Sequence, residues 1–439
     1  MPNKNEILKN RDIYLKQLIT FQDTEPVKVI TGIRRCGKSS LMKLMVRHLK
    51  ESGVLDAQII HINFESHDFG KMNSDNLYDF VKSKTLPDQR MYLLFDEIQR
   101  VENWEDTINA FRVDLDCDIY ITGSNACLLS SEYSTYLSGR YVEIKMLPLS
   151  FREFLDFHDY RLGSYRSPMG ESRIRVQDDS GNVYDTRELF DAYMKYGGMP
   201  GIASAGWNQD IIFPLLDGVF STVVIRDIME RELRRGNRQI TDYVLLKKIV
   251  LFLADNIGNT TSLNTIGNTL VSERMLEKRN TKGKPAVNTI SAYIRALIES
   301  YFFYEIKRFD IKGKDYLRTL GKYYIVDVGL RNYLLGYRDI DTRHVIENIV
   351  YFELLRRGFD VAVGKIGDKE VDFIATNADT KIYYQVTEEM SSEATREREL
   401  SPLRSISDNY GKVVIVLNNF FTPTLDGIKI ISLLDFLLS

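Results

Sequence analysis

The sequence predicts an α/β protein: a parallel sheet with helices on both faces, then a helical winged-helix region and a small α/β module. Short apolar runs recur between residues 27 and 147, and amphipathic stretches separate them. Short apolar strands that alternate with helices are typical of a parallel sheet buried on both faces. After residue 210 the pattern becomes helical, and after residue 358 it returns to strands. We therefore divide the chain into residues 1–157, 158–209, 210–330 and 331–439.

The length and composition are those of a globular protein with several domains. The chain has 439 residues, 44% of them hydrophobic, and a net charge of −3, which suffices for two to four domains. This charge argues against an overall basic surface, so nucleic acid would need a local basic face. The N-terminus is polar, unlike a secretory signal, and no apolar run is long enough to span a membrane. Cys36, Cys117 and Cys127 lack metal-ligand spacing, and we expect a cytoplasmic protein with reduced thiols.

Residues 1–157 carry the pattern of the parallel sheet. The predicted strands are VKVIT (27–31), AQIIHINF (57–64), MYLLF (91–95), DIYIT (118–122) and YVEIKML (141–147). Amphipathic stretches at 38–50 and 103–113 lie between these strands and have apolar residues at helical spacing. Because the carboxyl ends of parallel strands meet at one edge, polar residues that follow the strands are expected to lie together.

Residues 158–209 differ from the first domain in composition. They are polar, with recurring glycine, serine and proline, and are predicted to be an insertion or linker with a helical lid. RIRVQDDSGNVYD (173–185) is typical of a hairpin around a turn. The glycines and proline of GGMPG (197–201) are predicted to end a helix.

Residues 210–330 are predicted to be helical, with apolar residues at helical spacing in 241–258 and 288–306. Aromatic alternation follows, then a turn at 310–315 and a further apolar run. Helices followed by a two-stranded wing are typical of a winged helix-turn-helix. The last part, 331–439, is predicted to contain a helix at 343–358, a charged helical stretch at 391–407, a short terminal helix, and strands at 359–364, 369–375, 381–387, 412–418 and 428–432.

Gly32-Ile-Arg-Arg-Cys-Gly-Lys-Ser39 fits the phosphate-binding pattern GxxxxGK[ST]. Glycines allow the backbone to wrap around phosphates with its N–H groups pointing inward. Lys38 is expected to neutralise phosphate charge and the Ser39 hydroxyl to coordinate Mg²⁺, at the positive end of the next helix. The sequence therefore predicts that the chain binds ATP with Mg²⁺. The residues assigned to nucleotide binding are Gly32, Arg34, Arg35, Cys36, Gly37, Lys38, Ser39 and Ser40.

The run MYLLFDE (91–97) ends in two acidic residues. At the carboxyl edge of a parallel sheet they would lie next to the phosphate-binding loop. We assign Asp96 to Mg²⁺, directly or through water, and Glu97 to the general base that polarises the attacking water. Taken alone, such a pair is also typical of a solvated strand end.

Two further catalytic residues are predicted after the next strands. A polar side chain at the tip of DIYIT would reach the γ-phosphate, and we choose Asn125 first and Ser124 second. The alternative for this position is an N-cap of the following helix. Arg140, at the start of the fifth strand, is a candidate arginine finger for a neighbouring subunit. It could equally be an ordinary surface residue or pair with a carboxylate.

Five segments together resemble the large family of uncharacterised bacterial and archaeal AAA-type ATPases. They are GIRRCGKSSLM (32–42), YLLFDEIQ (92–99), ITGSNACLL (121–129), LSGRYVEIKMLPLSFREF (137–154) and KYYIVDVGLRN (322–332). The resemblance extends from Arg11 to about Val416. It implies ATP binding, a P-loop AAA+ core, a winged-helix region and a C-terminal module similar to the PD-(D/E)xK nucleases.

The resemblance also bears on single residues. It supports the assignments of Lys38, Ser39, Asp96 and Glu97. Arg34 and Arg35 match the double-arginine pattern of the family, and contact with phosphate or with the acidic strand ends would both fit.

In the C-terminal module the resemblance implies a nuclease-like fold without the full catalytic set. Glu347 or Glu353, together with Asp372, occupies positions suited to metal-binding carboxylates. However, the strand that should read (D/E)-x-K reads Gln385-Val386-Thr387. A migrated lysine at Lys365 or Lys369 has no further support. We interpret the module as a catalytically inactive binding or structural domain.

Two basic segments make DNA the expected partner. Arg231–Arg238 and Arg274–Lys284 are rich in arginine and lysine, and the presumed recognition helix carries Arg295. The alternatives are a solvated charged face and a winged helix that binds protein. The expected function is a nucleotide-driven switch or motor that engages DNA, with a homo-oligomer if the arginine finger acts in trans. A signalling ATPase that binds protein and an ATP-dependent nuclease remain as alternatives.

Overall fold

The computed structural model describes residues 8–70, 72–123, 139–166, 172–230, 240, 242–272, 287–338, 341–418 and 422–439. The chain forms two compact units. Unit 1 comprises Met1–Leu147 and Glu299–Tyr301, and unit 2 comprises Pro148–Ile298 and Phe302–Ser439. The predicted residues Ser124 and Asn125 and both basic segments lie outside the described residues.

Unit 1 contains a five-stranded parallel sheet, as predicted. The strands are β1 (Val27–Thr31), β2 (Ile59–Asn63), β3 (Met91–Asp96), β4 (Cys117–Thr122) and β5 (Tyr141–Lys145). The strand order is β2-β3-β4-β1-β5, and each neighbouring pair is parallel. The sheet is consistent with a P-loop fold, and every strand expected from the apolar runs is present.

Helices cover both faces of this sheet. They are α1 (Asp12–Thr20), α2 (Lys38–Glu51), α3 (Ser74–Lys84) and α4 (Trp104–Asp114). Alternate strand residues such as Val29 and Leu93 share a core with Leu77 of α3 and Ile108 of α4. Leu94 lies between these alternate positions and is also fully buried. Because successive side chains of a strand point to opposite faces, both faces of the sheet are covered.

Unit 2 contains most of the remaining elements. Its helices are α5 (Phe151–Phe157), α6 (Thr186–Tyr196), α7 (Gln209–Ser221), α8 (Tyr243–Asp255), α9 (Leu263–Ser272), α10 (Val287–Glu299), α11 (Val328–Leu335), α12 (Thr342–Arg356), α13 (Glu393–Arg404) and α14 (Leu433–Leu438). A π-helical segment, Thr222–Glu230, continues α7. Within the described residues, no helix has the length and apolar character to cross a membrane.

A small antiparallel sheet lies in the region predicted to be an insertion. Its strands are β6 (Arg161–Arg166), β7 (Ser172–Gln177) and β8 (Val183–Tyr184). The pairing of β7 with β8 is the predicted hairpin. Helix α6 ends at Tyr196, directly before the predicted helix breaker, and Gly197 has a φ of 78°. A residue with a side chain is disfavoured at that backbone angle.

A nine-stranded mixed sheet extends through unit 2. Its strands are β9 (Thr260–Thr261), β10 (Phe303–Asp310), β11 (Asp315–Ile325), β12 (Asp360–Ile366), β13 (Lys369–Thr376), β14 (Lys381–Thr387), β15 (Gly411–Val416), β16 (Thr424–Leu425) and β17 (Ile428–Ser432). The predicted wing is the antiparallel pair β10–β11. Strand β10 also pairs in parallel with β12, so the wing strands share one sheet with the C-terminal strands.

Candidate nucleotide-binding site

The loop between β1 and α2 has the backbone geometry that its glycines predict. Gly32 has a φ of 139°, Arg35 of 65° and Gly37 of 105°, and Gly37 is the N-cap of α2. A Cβ atom at Gly32 would lie 2.1 Å from the carbonyl oxygen of Met146. Only glycine fits there, because both the positive φ and the close backbone approach exclude a side chain.

Lys38 is buried inside this loop, with 5% of its surface exposed. Its ammonium donates hydrogen bonds to the carbonyl oxygens of Gly32 at 2.9 Å and Ile33 at 3.2 Å. Among the described residues, no carboxylate forms an ion pair with it. Ser39 is exposed and Ser40 half-buried in the first turn of α2, where unpaired N–H groups and the helix dipole favour an anion.

The two predicted acids lie at the carboxyl end of β3. Asp96 is buried and accepts a hydrogen bond from the Thr122 hydroxyl. The same hydroxyl accepts one from the backbone N–H of Glu97 at 3.0 Å. Glu97 has a φ of 57°, and its side chain accepts a hydrogen bond from the amide of Gln99. One hydroxyl thus contacts the carboxylate of Asp96 and the backbone of Glu97.

The acids and the loop share one edge of the sheet. Strand β4 lies between β3 and β1, and Thr122 at its end is in register with Ile30. The N–H of Gly123 donates to the carbonyl of Ile30 at 3.2 Å. The residue pattern pointed to Ser124 and Asn125 after this strand and not to Thr122. The feature that could have identified Thr122 is a hydroxyl residue at the end of a strand adjacent to the strand that carries the two acids.

The two loop arginines have different surroundings. Arg34 forms an ion pair with Glu65, which lies just beyond β2, and Arg100 approaches the same carboxylate at 3.3 Å. Arg35 is exposed. Of the two contacts considered for these arginines, the structure therefore places Arg34 on an acidic residue near a strand end.

A further arginine, Arg11, contacts the backbone of the loop, and it had no predicted role. It is 2% exposed and donates to the carbonyl oxygens of Cys36 at 3.1 Å and Leu147 at 2.8 Å. The Tyr14 hydroxyl accepts a hydrogen bond from the Leu147 N–H at 3.1 Å. The first turn of α1 thereby connects the loop to the residues after β5. No local motif reveals this contact, because it depends on the packing of α1.

Arg140 is distant from these groups within one chain. It precedes β5, and its carbonyl accepts a hydrogen bond from the Val27 N–H at 2.9 Å. Because β1 and β5 are parallel, with Val27 opposite Tyr141, Arg140 lies at the amino edge of the sheet. The loop follows the carboxyl end of β1. Arg140 is exposed, and the structure does not bring it to the acids of its own chain.

The arrangement fits a magnesium nucleotide. The loop offers backbone N–H groups, one buried ammonium and a helix N-terminus to phosphates. The Ser39 hydroxyl and the Asp96 carboxylate are oxygen ligands of the kind that Mg²⁺ takes alongside water and phosphate oxygens.

The comparisons with known proteins agree with this arrangement. The AAA domain family matches residues 24–155, and a domain of unknown function (DUF8612) matches residues 187–341. An uncharacterised protein of Haemophilus influenzae is 40% identical over 432 residues, which are 98% of each chain. An uncharacterised protein of Methanocaldococcus jannaschii is 30% identical over 408 residues, 90% of this chain and 83% of the relative.

Two solved structures are similar at a lower level. The Walker-type ATPase of Pyrococcus abyssi has 15% identity and a TM-score of 0.48, covering 75% of this chain and 97% of its own. The Orc1 protein of Aeropyrum pernix in complex with DNA has 13% identity and a TM-score of 0.31, covering 75% and 93%. Scores below 0.5 support no conclusion about this chain. The AAA domain and the nearly full-length bacterial relative do: the chain belongs to the family of AAA-type ATPases with a C-terminal domain of unknown function.

Proposed function

We propose that this chain binds ATP with Mg²⁺ and hydrolyses it at the edge of the unit 1 sheet. The observation that supports this most is the environment of Lys38. Its buried ammonium donates only to loop carbonyls among the described residues, while two acids lie at the same edge of the sheet. A buried cation with weak neutral partners is well placed to exchange them for phosphate oxygens.

Each residue then has a defined role. Lys38 and the loop N–H groups bind the phosphates. Ser39 and Asp96 would hold Mg²⁺, which when bound neutralises phosphate charge and orients the nucleotide. Glu97 accepts the proton of the attacking water as general base. Thr122 positions the Asp96 carboxylate and the backbone at Glu97 through the two hydrogen bonds of its hydroxyl.

We also assign roles to two residues that are not among the groups described at this edge of the sheet. Asn125, with Ser124 as second choice, is proposed to orient the water near the γ-phosphate. Arg140 is proposed to act on the site of a second copy of the chain, because it lies at the opposite edge of its own sheet. This role requires a homo-oligomer.

Nucleotide turnover is proposed to drive a switch or motor that engages DNA. We retain the division into an ATPase core (1–157), a linker with a lid (158–209), a winged-helix domain (210–330) and a nuclease-like domain without nuclease activity (331–439). The exposed Arg295 on α10 is the described residue that best fits phosphate contact by a winged helix.

DNA-dependent turnover tests the proposal. ATP hydrolysis should require Mg²⁺, rise when duplex DNA is added, and lose that stimulation steeply between about 50 and 200 mM salt. Turnover that ignores DNA at every salt concentration would favour the signalling ATPase with a protein partner. Absence of nucleotide binding at millimolar Mg²⁺ would refute the proposal.

A further inference from the structure

Helix α10 is followed by a residue that is unusual at its position. Tyr301, the second residue after the helix, has a φ of 58°. The N–H of Phe302 donates a hydrogen bond to the carbonyl of Leu297 at 3.1 Å. This backbone pattern closes many helices, and the residue with positive φ is usually glycine, because a bulky side chain is disfavoured there. A tyrosine at this position indicates that its side chain makes a contact that offsets the backbone cost.

The contact of Tyr301 lies within unit 1. This unit includes Glu299–Tyr301, whereas the residues of α10 up to Ile298 belong to unit 2. Tyr301 is only 5% exposed, and its hydroxyl donates a hydrogen bond to the Oε1 atom of Glu143 at 3.2 Å. Glu143 lies on β5. The segment that ends α10 therefore supplies a buried side chain to the sheet that carries the proposed ATP site.

Glu143 connects Tyr301 to the base of the phosphate-binding loop. The Thr31 hydroxyl donates to the same Oε1 atom at 2.6 Å. Thr31 is fully buried and ends β1 directly before Gly32. Glu143 is opposite Val29 in the pairing of β1 with β5, and alternate residues of a strand point to the same face. One carboxylate oxygen thus accepts hydrogen bonds from two hydroxyls, one of them at the start of the loop.

The carboxylate of Glu143 needs a partner that keeps it in place. Glu143 is exposed, so its side chain could turn toward solvent and exchange its partners for water. The buried hydroxyl of Thr31 would then lose this acceptor, and leaving a buried polar group unpaired costs free energy. The hydroxyl of Tyr301, fixed by the burial of its ring, favours the orientation of Glu143 that faces Thr31.

The base of the loop tolerates little displacement. The N–H of Met146 donates to the carbonyl of Thr31 at 2.8 Å, and a Cβ atom at Gly32 would lie 2.1 Å from the carbonyl oxygen of Met146. The loop binds phosphate through several N–H groups that must point inward together. Such groups need supporting contacts that fix them to within about 0.5 Å, so a shift at Thr31 would weaken several hydrogen bonds to phosphate.

We propose that Tyr301 is a positioning residue of the ATP site. Its hydroxyl holds Glu143, Glu143 holds Thr31, and Thr31 fixes the base of the phosphate-binding loop. The inference rests on the proposed binding of ATP and adds to that site a residue from outside the ATPase core. The helix that carries Arg295 thus ends in a segment that supports the nucleotide-binding loop.

The first test measures the affinity for ATP in the full chain. Tyr301→Phe removes only the hydroxyl, and calorimetry with ATP and Mg²⁺ should give a Kd about three- to tenfold weaker than that of the parent chain. Tyr316→Phe, at an exposed tyrosine on β11, is the matched control and should keep the parent Kd. A parent-like Kd in Tyr301→Phe would overturn the proposal.

The second test asks whether Tyr301 acts through Thr31. Thr31→Val should weaken ATP binding by itself, and Thr31→Ser, which restores the hydroxyl, should recover the affinity. Adding Tyr301→Phe to Thr31→Val should cause no further loss, because the path from Tyr301 to the loop is already broken. Losses that multiply in the double variant would show that Tyr301 does not act through Thr31, and the proposal would fail.

Amide hydrogen exchange without nucleotide separates this proposal from the proposed binding of ATP. Residues 32–37 should exchange faster in Tyr301→Phe than in the parent chain and in Tyr316→Phe, because the base of the loop opens more often. A parent chain that binds no ATP would refute the proposed function, and the exchange of the loop would then decide whether Tyr301 holds it. Unchanged exchange at 32–37 in Tyr301→Phe would contradict the positioning role.

Discussion

Each unit contains a buried lysine close to acidic strands, and the two lysines are held in different ways. Lys38 in unit 1 donates to two backbone carbonyls, at 2.9 and 3.2 Å. Lys322 in unit 2 forms ion pairs with two carboxylates, at 2.9 and 2.8 Å. Both are almost fully buried. The charge of Lys322 is neutralised by carboxylates within the fold, whereas the Lys38 ammonium meets only neutral loop carbonyls among the described residues.

The pKa shifts of the buried groups in unit 2 reflect the same difference between the two lysines. Burial alone lowers the pKa of Lys322, but the carboxylates of Glu347, Asp372 and Glu370 raise that pKa above its ordinary value. Burial, and then the charge of Glu347, raise the pKa of Asp372 to about 8. The protonation states of these acids and of the Lys322 ammonium therefore depend on one another. In unit 1, the Thr122 hydroxyl instead donates a hydrogen bond to the Asp96 carboxylate and accepts one from the backbone N–H of Glu97.

Lys28 shows that the difference is not a property of the unit. It lies on β1, only ten positions before Lys38, and is fully buried in an ion pair with Asp118. Burial lowers the pKa of Lys28, and the hydrogen bond to Asp118 opposes that shift. Strand β1 thus carries a lysine with a structural ion pair, and the loop that follows it leads to the lysine proposed to bind the ligand. What separates them is a carboxylate partner.

The largest effect is expected from Lys38→Ala. Removing one partner of a buried charge pair typically costs about 2–5 kcal/mol, so ATP affinity should fall about 30- to 5,000-fold by calorimetry. The free energy of unfolding without nucleotide should change little, because Lys38 has no charged partner among the residues that the structure describes. Lys43→Ala, on the exposed face of α2, is the control. A Lys38→Ala protein that binds ATP normally would contradict the ligand-binding role.

Glu97→Gln should separate binding from turnover. A general base contributes about 10²- to 10⁴-fold, and the kcat of ATP hydrolysis should fall by that factor. ATP affinity should stay within about twofold, since Glu97 is not assigned to phosphates. Glu102→Gln, at an exposed neighbouring position, should keep both values. Normal turnover in the Glu97→Gln variant would rule out Glu97 as the base.

Lys322→Met should do the reverse of Lys38→Ala. Breaking a buried ion pair leaves Glu347 uncompensated and typically costs about 3–5 kcal/mol. Urea unfolding of unit 2 should shift by that amount, while ATP affinity in unit 1 stays unchanged. Lys429→Met, exposed on β17, should be neutral within about 0.5 kcal/mol.

The double variant Lys322→Met with Glu347→Gln sharpens this result. Because both charges are then absent, part of the lost stability should return, as expected for coupled neighbours. Strictly additive losses would mean that the two side chains do not interact energetically.

The sequence predicted the sheet of unit 1 well because its strands have a one-dimensional signal. Apolar runs fully buried on both faces mark the strands, and the predicted bounds of β1 coincide with those observed. The phosphate-binding loop has a local motif, so its residues could be predicted from the sequence equally well. These features depend on neighbours in the chain and on little else.

Other features depend on which strands are neighbours. Thr122 matters because β4 lies next to β3, and Lys322 meets Glu370 only because β11 and β13 join one sheet. The parallel pairing of β10 with β12, which places the wing strands in the C-terminal sheet, has no signature in either strand. Arg140 was assigned as an arginine finger from its position before a strand. That position alone does not tell at which edge of the sheet the residue lies. Register and strand order are properties of the folded sheet, so residue patterns alone did not reveal these contacts.

The smallest effect is expected from a change at Thr122, the hydroxyl that bonds Asp96 in unit 1 where unit 2 uses a lysine. Thr122→Val keeps the shape of the side chain but removes the hydroxyl that bonds the Asp96 carboxylate and the backbone N–H of Glu97. A hydrogen bond to a charged group contributes about 1.5–3 kcal/mol, so kcat should fall about 10- to 100-fold.

The Mg²⁺ concentration needed for half-maximal turnover should rise in Thr122→Val, because Asp96 would lose its fixed orientation, while ATP affinity in EDTA stays the same. Thr122→Ser restores the hydroxyl and should recover most of the rate. A merely structural role predicts a lower melting temperature with unchanged Mg²⁺ dependence, and that pattern would remove Thr122 from the site. Positioning by a neutral hydroxyl leaves the negative charge of Asp96 in place, whereas an ammonium partner like Lys322 would neutralise it.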